Sequence, residues 1–181
     1  MMELNEVEGI ENLEAAEDSK DTVDLGQSDV EFLFSEVPDK VSRDVALMDF
    51  RKWLFGWGLE KKAKQKFTSS SKEMREQANL AKEAIVSAIQ AGLLRLEKQA
   101  TGKFMLVQTL HETAGNLSEL EYKRIPKLKD MLAMDGIDTK LEGNAATIGL
   151  MVALTGNNKE ILSNLSEADV ALGGAVFFFL L

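Results

Sequence analysis

His111 is the only histidine in this chain of 181 residues, and it is the first place to look for acid–base or metal chemistry. It lies in Leu110-His111-Glu112-Thr113-Ala114-Gly115. A helical zinc protease site needs a second histidine four residues on, and Gly115 stands there instead. A structural histidine is therefore the expected reading. Ala100-Thr101-Gly102-Lys103-Phe104 resembles the end of a phosphate loop, but Glu97 occupies the earlier glycine position and Phe104 the magnesium-binding hydroxyl position. Asp130, Asp135 and Asp138 lack the alternating spacing of a calcium loop. With no cysteine there is no thiolate nucleophile, disulfide or thiolate metal site. The sequence thus predicts no catalytic residue, no cofactor and no metal.

A second kind of chemistry is more prominent. Between Arg43 and Arg75 lie nine bases against four acids, and both tryptophans of the chain fall in this stretch. Phe50, Arg51, Lys52, Trp53, Trp57, Lys61, Lys62, Lys64 and Lys66 form a candidate contact surface. Three readings compete. Aromatic rings with flanking cations suit the headgroup region of an anionic membrane. Lysines on phosphates with rings on unpaired bases suit nucleic acid. An ordinary amphipathic helix would instead bury the tryptophans and solvate the lysines. Leu47, Phe50, Leu54 and Trp57 follow helical spacing, whereas Gly56 and Gly58 point to a break between two shorter helices.

The charge is unevenly distributed. Residues 1–40 carry thirteen acids and two bases, while the other 141 residues carry 17 acids and 19 bases. A segment of that composition repels itself and is expected to be a disordered arm. Within it, Asp29-Val30-Glu31-Phe32-Leu33-Phe34-Ser35-Glu36-Val37 is an acid-flanked apolar patch that could dock on a partner or pack back on its own chain, the latter being favoured. The acidic opening residues are unlike a secretory signal, so a cytoplasmic, membrane-peripheral location is expected. No run reaches the 18–20 apolar residues of a membrane span. The nearest is Val170–Leu181, readable as buried helix, strand or the start of a span.

The elements that would position these groups read as helical. Ser70 with Glu73 suggests a capping box. Beyond it Ile85, Ile89, Leu93, Leu96, Ala100, Phe104, Val107, Leu110, Ala114 and Leu117 form a stripe covering 32 residues in nine steps, close to the helical period. This predicts one long helix over 70–114, passing through Gly92 and Gly102, with Ile85, Ile89, Leu93, Leu96, Phe104, Val107 and Leu110 as its packing or coiled-coil seam. Ser118 with Glu121, and Leu117 with Tyr122, suggest a capped and stapled start to a further helix, disturbed at Pro126. Shorter helices are expected over 118–181, with Ser166 and Asp169 capping the last.

The expectation is an all-α helical bundle (41–181) behind an acidic arm (1–40), with 41–67 as its basic aromatic segment. Its expected function is non-catalytic interaction or assembly, on an anionic membrane surface or a protein partner, with homo-oligomerisation through the stripe. Nucleic-acid association or phage-type assembly is the alternative.

Overall fold

The computed structural model describes residues 39–122 and 143–180. The acidic arm up to residue 38, the patch around Phe32–Phe34, and the expectations at Pro126, Asp130, Asp135 and Asp138 fall outside the described residues. In chain order the elements are α1 (Arg43–Gly56), α2 (Glu60–Phe67), α3 (Lys72–Ala91), β1 (Leu94–Lys98), β2 (Phe104–Ala114), β3 (Leu117–Tyr122), α4 (Gly143–Thr155), α5 (Lys159–Leu162) and α6 (Glu167–Leu180). The fold is mixed: helices and a three-stranded antiparallel sheet of order β1-β2-β3.

The all-α expectation, with its helical bundle and coiled coil, is therefore corrected. The expected long helix over 70–114 stops at Ala91. Gly92 adopts φ +72°, and its N–H and that of Leu93 turn back to the carbonyls of Ile89 and Ala88, a left-handed helix stop. After it, Leu94 and Leu96 alternate with Arg95 and Glu97 in a strand. Ala100-Thr101-Gly102 closes the β1–β2 hairpin, with the Gln99 N–H on the Lys103 carbonyl at 2.8 Å. Gly115-Asn116 closes the next hairpin, where Ala114 faces Leu117.

The helix expected from Ser118 is thus strand β3. Of the expected seam, Ile85 and Ile89 lie on α3, Leu93 in the turn, Leu96 on β1, and Phe104, Val107 and Leu110 on β2. All but Val107 belong to one core or pack against it, Val107 lies on the other face of the sheet between Arg95 and Glu121, and together they form no single helix face. The α3 cap is also displaced by one residue: Ser71, rather than Ser70, accepts from the Met74 amide at 3.2 Å.

One face of the sheet turns Leu94, Leu106, Gln108, Leu120 and Tyr122 inward, in rows fixed by the pairings Leu94–Gln108–Leu120 and Leu106–Tyr122. On the other face Arg95 forks onto both oxygens of Glu119 at 2.8 and 2.9 Å and reaches Glu97 at 2.7 Å. The Arg95 hydrogen bonds hold the Glu119 carboxyl below its ordinary value, more than offsetting its slight desolvation.

Helix α6 is the centre of the fold. Its sequence from Val170 onward is apolar all round, as suits a helix enclosed on every side. It packs against α3, α4, α2 and β2, and Leu172, Ala175, Val176 and Phe179 are essentially inaccessible. Gly173 lets α4 approach closely, since a Cβ there would stand 2.9 Å from the Met151 sulfur. The Val170–Leu180 run is thus core. Among the described residues no helix is long and apolar enough to cross a membrane.

Candidate functional site

The basic aromatic segment folds into α1 and α2, divided at Trp57–Leu59 as the two glycines suggested. Ser42 caps α1 by accepting from the Val45 amide. The helical period then sorts its side chains. Ala46, Phe50, Trp53, Leu54 and Trp57 are buried. Val45, Met48 and Phe55 are exposed, with Val41 just ahead of the helix; Phe55 is 69% exposed.

The proposed contact residues therefore divide sharply. Phe50, Trp53 and Trp57, at 4%, 0% and 8% exposure, belong to the core. Phe50 meets Phe179 edge-on with centroids 5.4 Å apart, and Trp53 meets the same ring at 6.2 Å. Trp53 and Trp57 stack edge to face at 5.8 Å. Such pairs each add about 0.5–1.5 kcal/mol beyond the area they bury. Trp57 also donates from Nε1 to the Phe104 carbonyl at 3.0 Å. Gly56 permits that approach, because a Cβ there would fall 2.4 Å from the Phe104 ring.

The cations divide as well. Arg51, Lys52, Lys61, Lys62 and Lys64 are exposed and Lys66 is half-buried. Lys52 pairs with Asp49 at 2.8 Å. Lys62 donates to the Leu180 carbonyl at 2.8 Å, tying α2 to the C-terminal turn of α6. Lys66 lies over the Phe178 ring, 4.3 Å from its centroid. Burial, and then repulsion from Lys62, draw its ammonium pKa below the usual lysine range. These two lysines are partly structural. Arg51, Lys61 and Lys64 remain on the surface.

Between α1, α2 and α3 runs an open groove of about 440 Å³. Leu47, Leu54, Ala63 and Phe67 supply apolar walls, and Arg51, Lys64 and Lys82 stand with Glu60 along it. At its N-terminal side Arg43 and Lys82 both engage Glu83. Burial raises the Glu83 pKa, but the hydrogen bonds from those two cations outweigh it and leave the carboxyl below its ordinary value.

A separate polar cluster surrounds Asp169, which is fully buried. Ser166 accepts from the Asp169 amide at 3.2 Å and donates to its carboxylate at 2.7 Å, as the sequence led one to expect of a helix cap. The strand pairing of β2 with β3 shifts between Thr109 and Ala114. The His111 amide, in that shifted stretch, donates to both Asp169 oxygens at 3.2 and 3.3 Å. His111 Nδ1 lies 3.2 Å from the same carboxylate. Gln108 donates to it at 3.0 Å, and accepts from the Tyr122 hydroxyl at 2.7 Å. Burial, then the charge of Asp169, push the Tyr122 hydroxyl well above the usual tyrosine range.

This Asp–His pair has the outline of the orienting half of an acid–base dyad. Ser166, the neighbouring hydroxyl, is directed at the carboxylate. The Gln108 and His111 contacts join the sheet to the N-terminus of α6, where a carboxylate is favoured by the helix dipole. The arrangement gives the His111 amide and ring a partner in the buried Asp169 carboxylate. Among the described residues no group of three or more His, Cys, Asp or Glu side chains could hold a metal ion.

Phe55 was not singled out from sequence. The signal was available: it continues the phase of Val41, Val45, Met48 and Lys52, away from that of Ala46, Phe50, Trp53 and Trp57. No protein-family model, curated protein or solved structure matches this chain.

Proposed function

We propose that the chain is a non-catalytic interaction protein that attaches to an anionic membrane surface through the outer face of α1. The observation carrying this reading is the exposure of Phe55 in line with Met48, Val45 and Val41. Arg51 and Lys52 lie four and three residues before Phe55, so they flank it on the helix surface. Lys61 and Lys64 extend the positive charge onto α2. An apolar ring can enter the headgroup boundary while the neighbouring cations meet lipid phosphate and carboxylate groups. The buried tryptophans hold this helix on the core and take no direct part.

The test is partitioning of the full chain between buffer and vesicles. Vesicles containing phosphatidylserine should bind it, pure phosphatidylcholine should not, and added salt should weaken the binding. Phe55→Ser should lower partitioning by about tenfold or more, since burying a phenylalanine side chain is worth about 1.5–3 kcal/mol. Loss of the positive charge in Lys61→Glu/Lys64→Glu should also lower it. Equal binding by the Phe55→Ser chain, or no preference for the anionic vesicles, would overturn the reading. So would salt-sensitive binding to DNA without vesicle partitioning, which would favour nucleic-acid association.

A further inference from the structure

The groove between α1, α2 and α3 has apolar walls and a predominantly cationic margin. The chain reaches this region from a fixed point. The amides of Lys40 and Val41 both donate to the Gln90 carbonyl, at 2.6 and 3.2 Å, and Gln90 Nε2 donates to Asp39 at 3.1 Å. Residue 39 is therefore held at the C-terminal end of α3. Arg43 engages Glu83, and the groove then pairs Leu47 and Arg51 with Asn79 and Lys82, so α1 runs back along α3.

We infer that residues 29–37 of the same chain occupy this groove, with Phe32 and Phe34 against its apolar walls. Two arguments support this occupant. Charge is the first: Asp29, Glu31 and Glu36 flank the two rings, matching Arg51 and Lys64 beside the groove, where Lys82 is shared with Glu83 and Glu60 is the one acid of the lining. Reach is the second. Lys82 and Asn79 lie eight and eleven residues before Gln90, or about 12 and 16 Å along the helix. Phe34 and Phe32 lie five and seven residues before Asp39, with reaches of up to about 17 and 24 Å in extended chain. Both rings can thus arrive in the groove, alternate side chains facing the same way, with Leu33 facing outward.

This goes beyond attachment through the outer face of α1 and does not depend on it. Leu47 and Leu54 lie roughly a quarter turn around the helix from Met48 and Phe55. A segment in the groove leaves the outer face open. Its acids would partly neutralise Arg51 and Lys64, so the inner segment sets how much positive charge the neighbouring surface presents.

The absence of cysteine from the chain makes disulfide trapping a clean test. Val30→Cys keeps both rings and all the flanking acids and lies on the same side of the extended chain as Phe32 and Phe34, and Asn79→Cys places the second thiol at the groove. The control pair is Val30→Cys with Val45→Cys, the latter roughly half a turn around α1 from the groove but nearer to residue 39 along the chain. Under mild oxidation of the full chain, the groove pair should close an intramolecular disulfide roughly tenfold faster than the control, equivalent to about 1.4 kcal/mol of preference. Adding Phe32→Ser/Phe34→Ser should remove the difference, and Arg51→Glu should reduce it. Equal rates for the two pairs would overturn the inference. So would a difference that survives loss of both rings, or a disulfide forming only between two chains, which would make a second copy the occupant. Vesicle partitioning does not enter this measurement, so the two readings fail separately.

Discussion

Replacing Asp169 with alanine should cost far more than its small change in volume. The carboxylate is fully buried and accepts from Gln108 Nε2, the His111 amide and ring, and the Ser166 hydroxyl. Ser166 and the His111 ring are partly exposed, so water can replace what they lose. The His111 amide and the inner N–H of Gln108 are less easily compensated, although Gln108 retains the Asp169 backbone carbonyl at 3.2 Å. A buried donor left unsatisfied costs about 1–3 kcal/mol, and loss of the charge-assisted bonds adds to it. The expected loss is about 3–5 kcal/mol, in the range seen when one partner of a buried charged network is removed. Asp169→Asn keeps the shape and one acceptor oxygen, and should lose only about 1–2 kcal/mol. At about 2–4 °C per kcal/mol for a chain of this size, the alanine variant should melt about 6–20 °C lower. Urea unfolding followed by far-UV circular dichroism and by fluorescence of the two buried tryptophans gives both numbers. An alanine loss below about 1 kcal/mol, or an asparagine loss equal to it, would refute the argument that satisfied donors hold this corner together.

Three other outcomes follow from local geometry. Gly56→Ala should destabilise by about 1–3 kcal/mol through overlap with the Phe104 ring, and adding Phe104→Leu should recover part of it in the same urea titration. Lys62→Met should cost about 1 kcal/mol and speed hydrogen exchange in the last turn of α6, whose Leu180 carbonyl it now caps. The Glu119 pKa is held low in the folded chain, so its pairing with Arg95 stabilises above the unfolded carboxylate pKa and is lost as pH falls through the folded one. Melting curves between about pH 6 and pH 3 should therefore fall less steeply for Glu119→Gln than for the parent chain.

How far the sequence could be read depended on whether a pattern had one physical cause. Ser166 with Asp169 was legible because a cap is a local arrangement four residues long. The break at Gly56–Gly58 was legible for the same reason. The stripe from Ile85 to Leu117 is not one helix face because it strings together residues of several elements. A gap of four, as from Leu110 to Ala114, also returns to one side of a strand, while the stripe's gaps of three join opposite faces of β2, leave the turn at Gly92 or cross the turn at Gly115. Alternation in Leu94-Arg95-Leu96-Glu97 was the better local signal, and the glycines marked real boundaries. At the candidate site, the apolar face through Leu47, Phe50, Leu54 and Trp57 was recognisable, but its spacing alone did not decide whether Phe50 and Trp57 met a partner or the core, and the structure buries both. What covers them was not recognisable, because Phe179 comes from a distant segment and sequence spacing carries no trace of that meeting.

That meeting also governs the order in which the protein can finish folding. Phe50 and Trp53 meet Phe179, which lies 88 residues beyond the end of α3 at Ala91. At about 5–20 residues per second, a ribosome takes roughly 4–18 s to make that stretch. Throughout that interval α1–α3 exist without the helix that encloses their rings, and their inner faces are available to chaperones or to one another. Synthesis speed and chaperone supply should thus bear on the yield of this protein alongside its final stability. A pause or premature stop before α6 would leave the aromatic cluster open, whatever the rest of the chain had achieved.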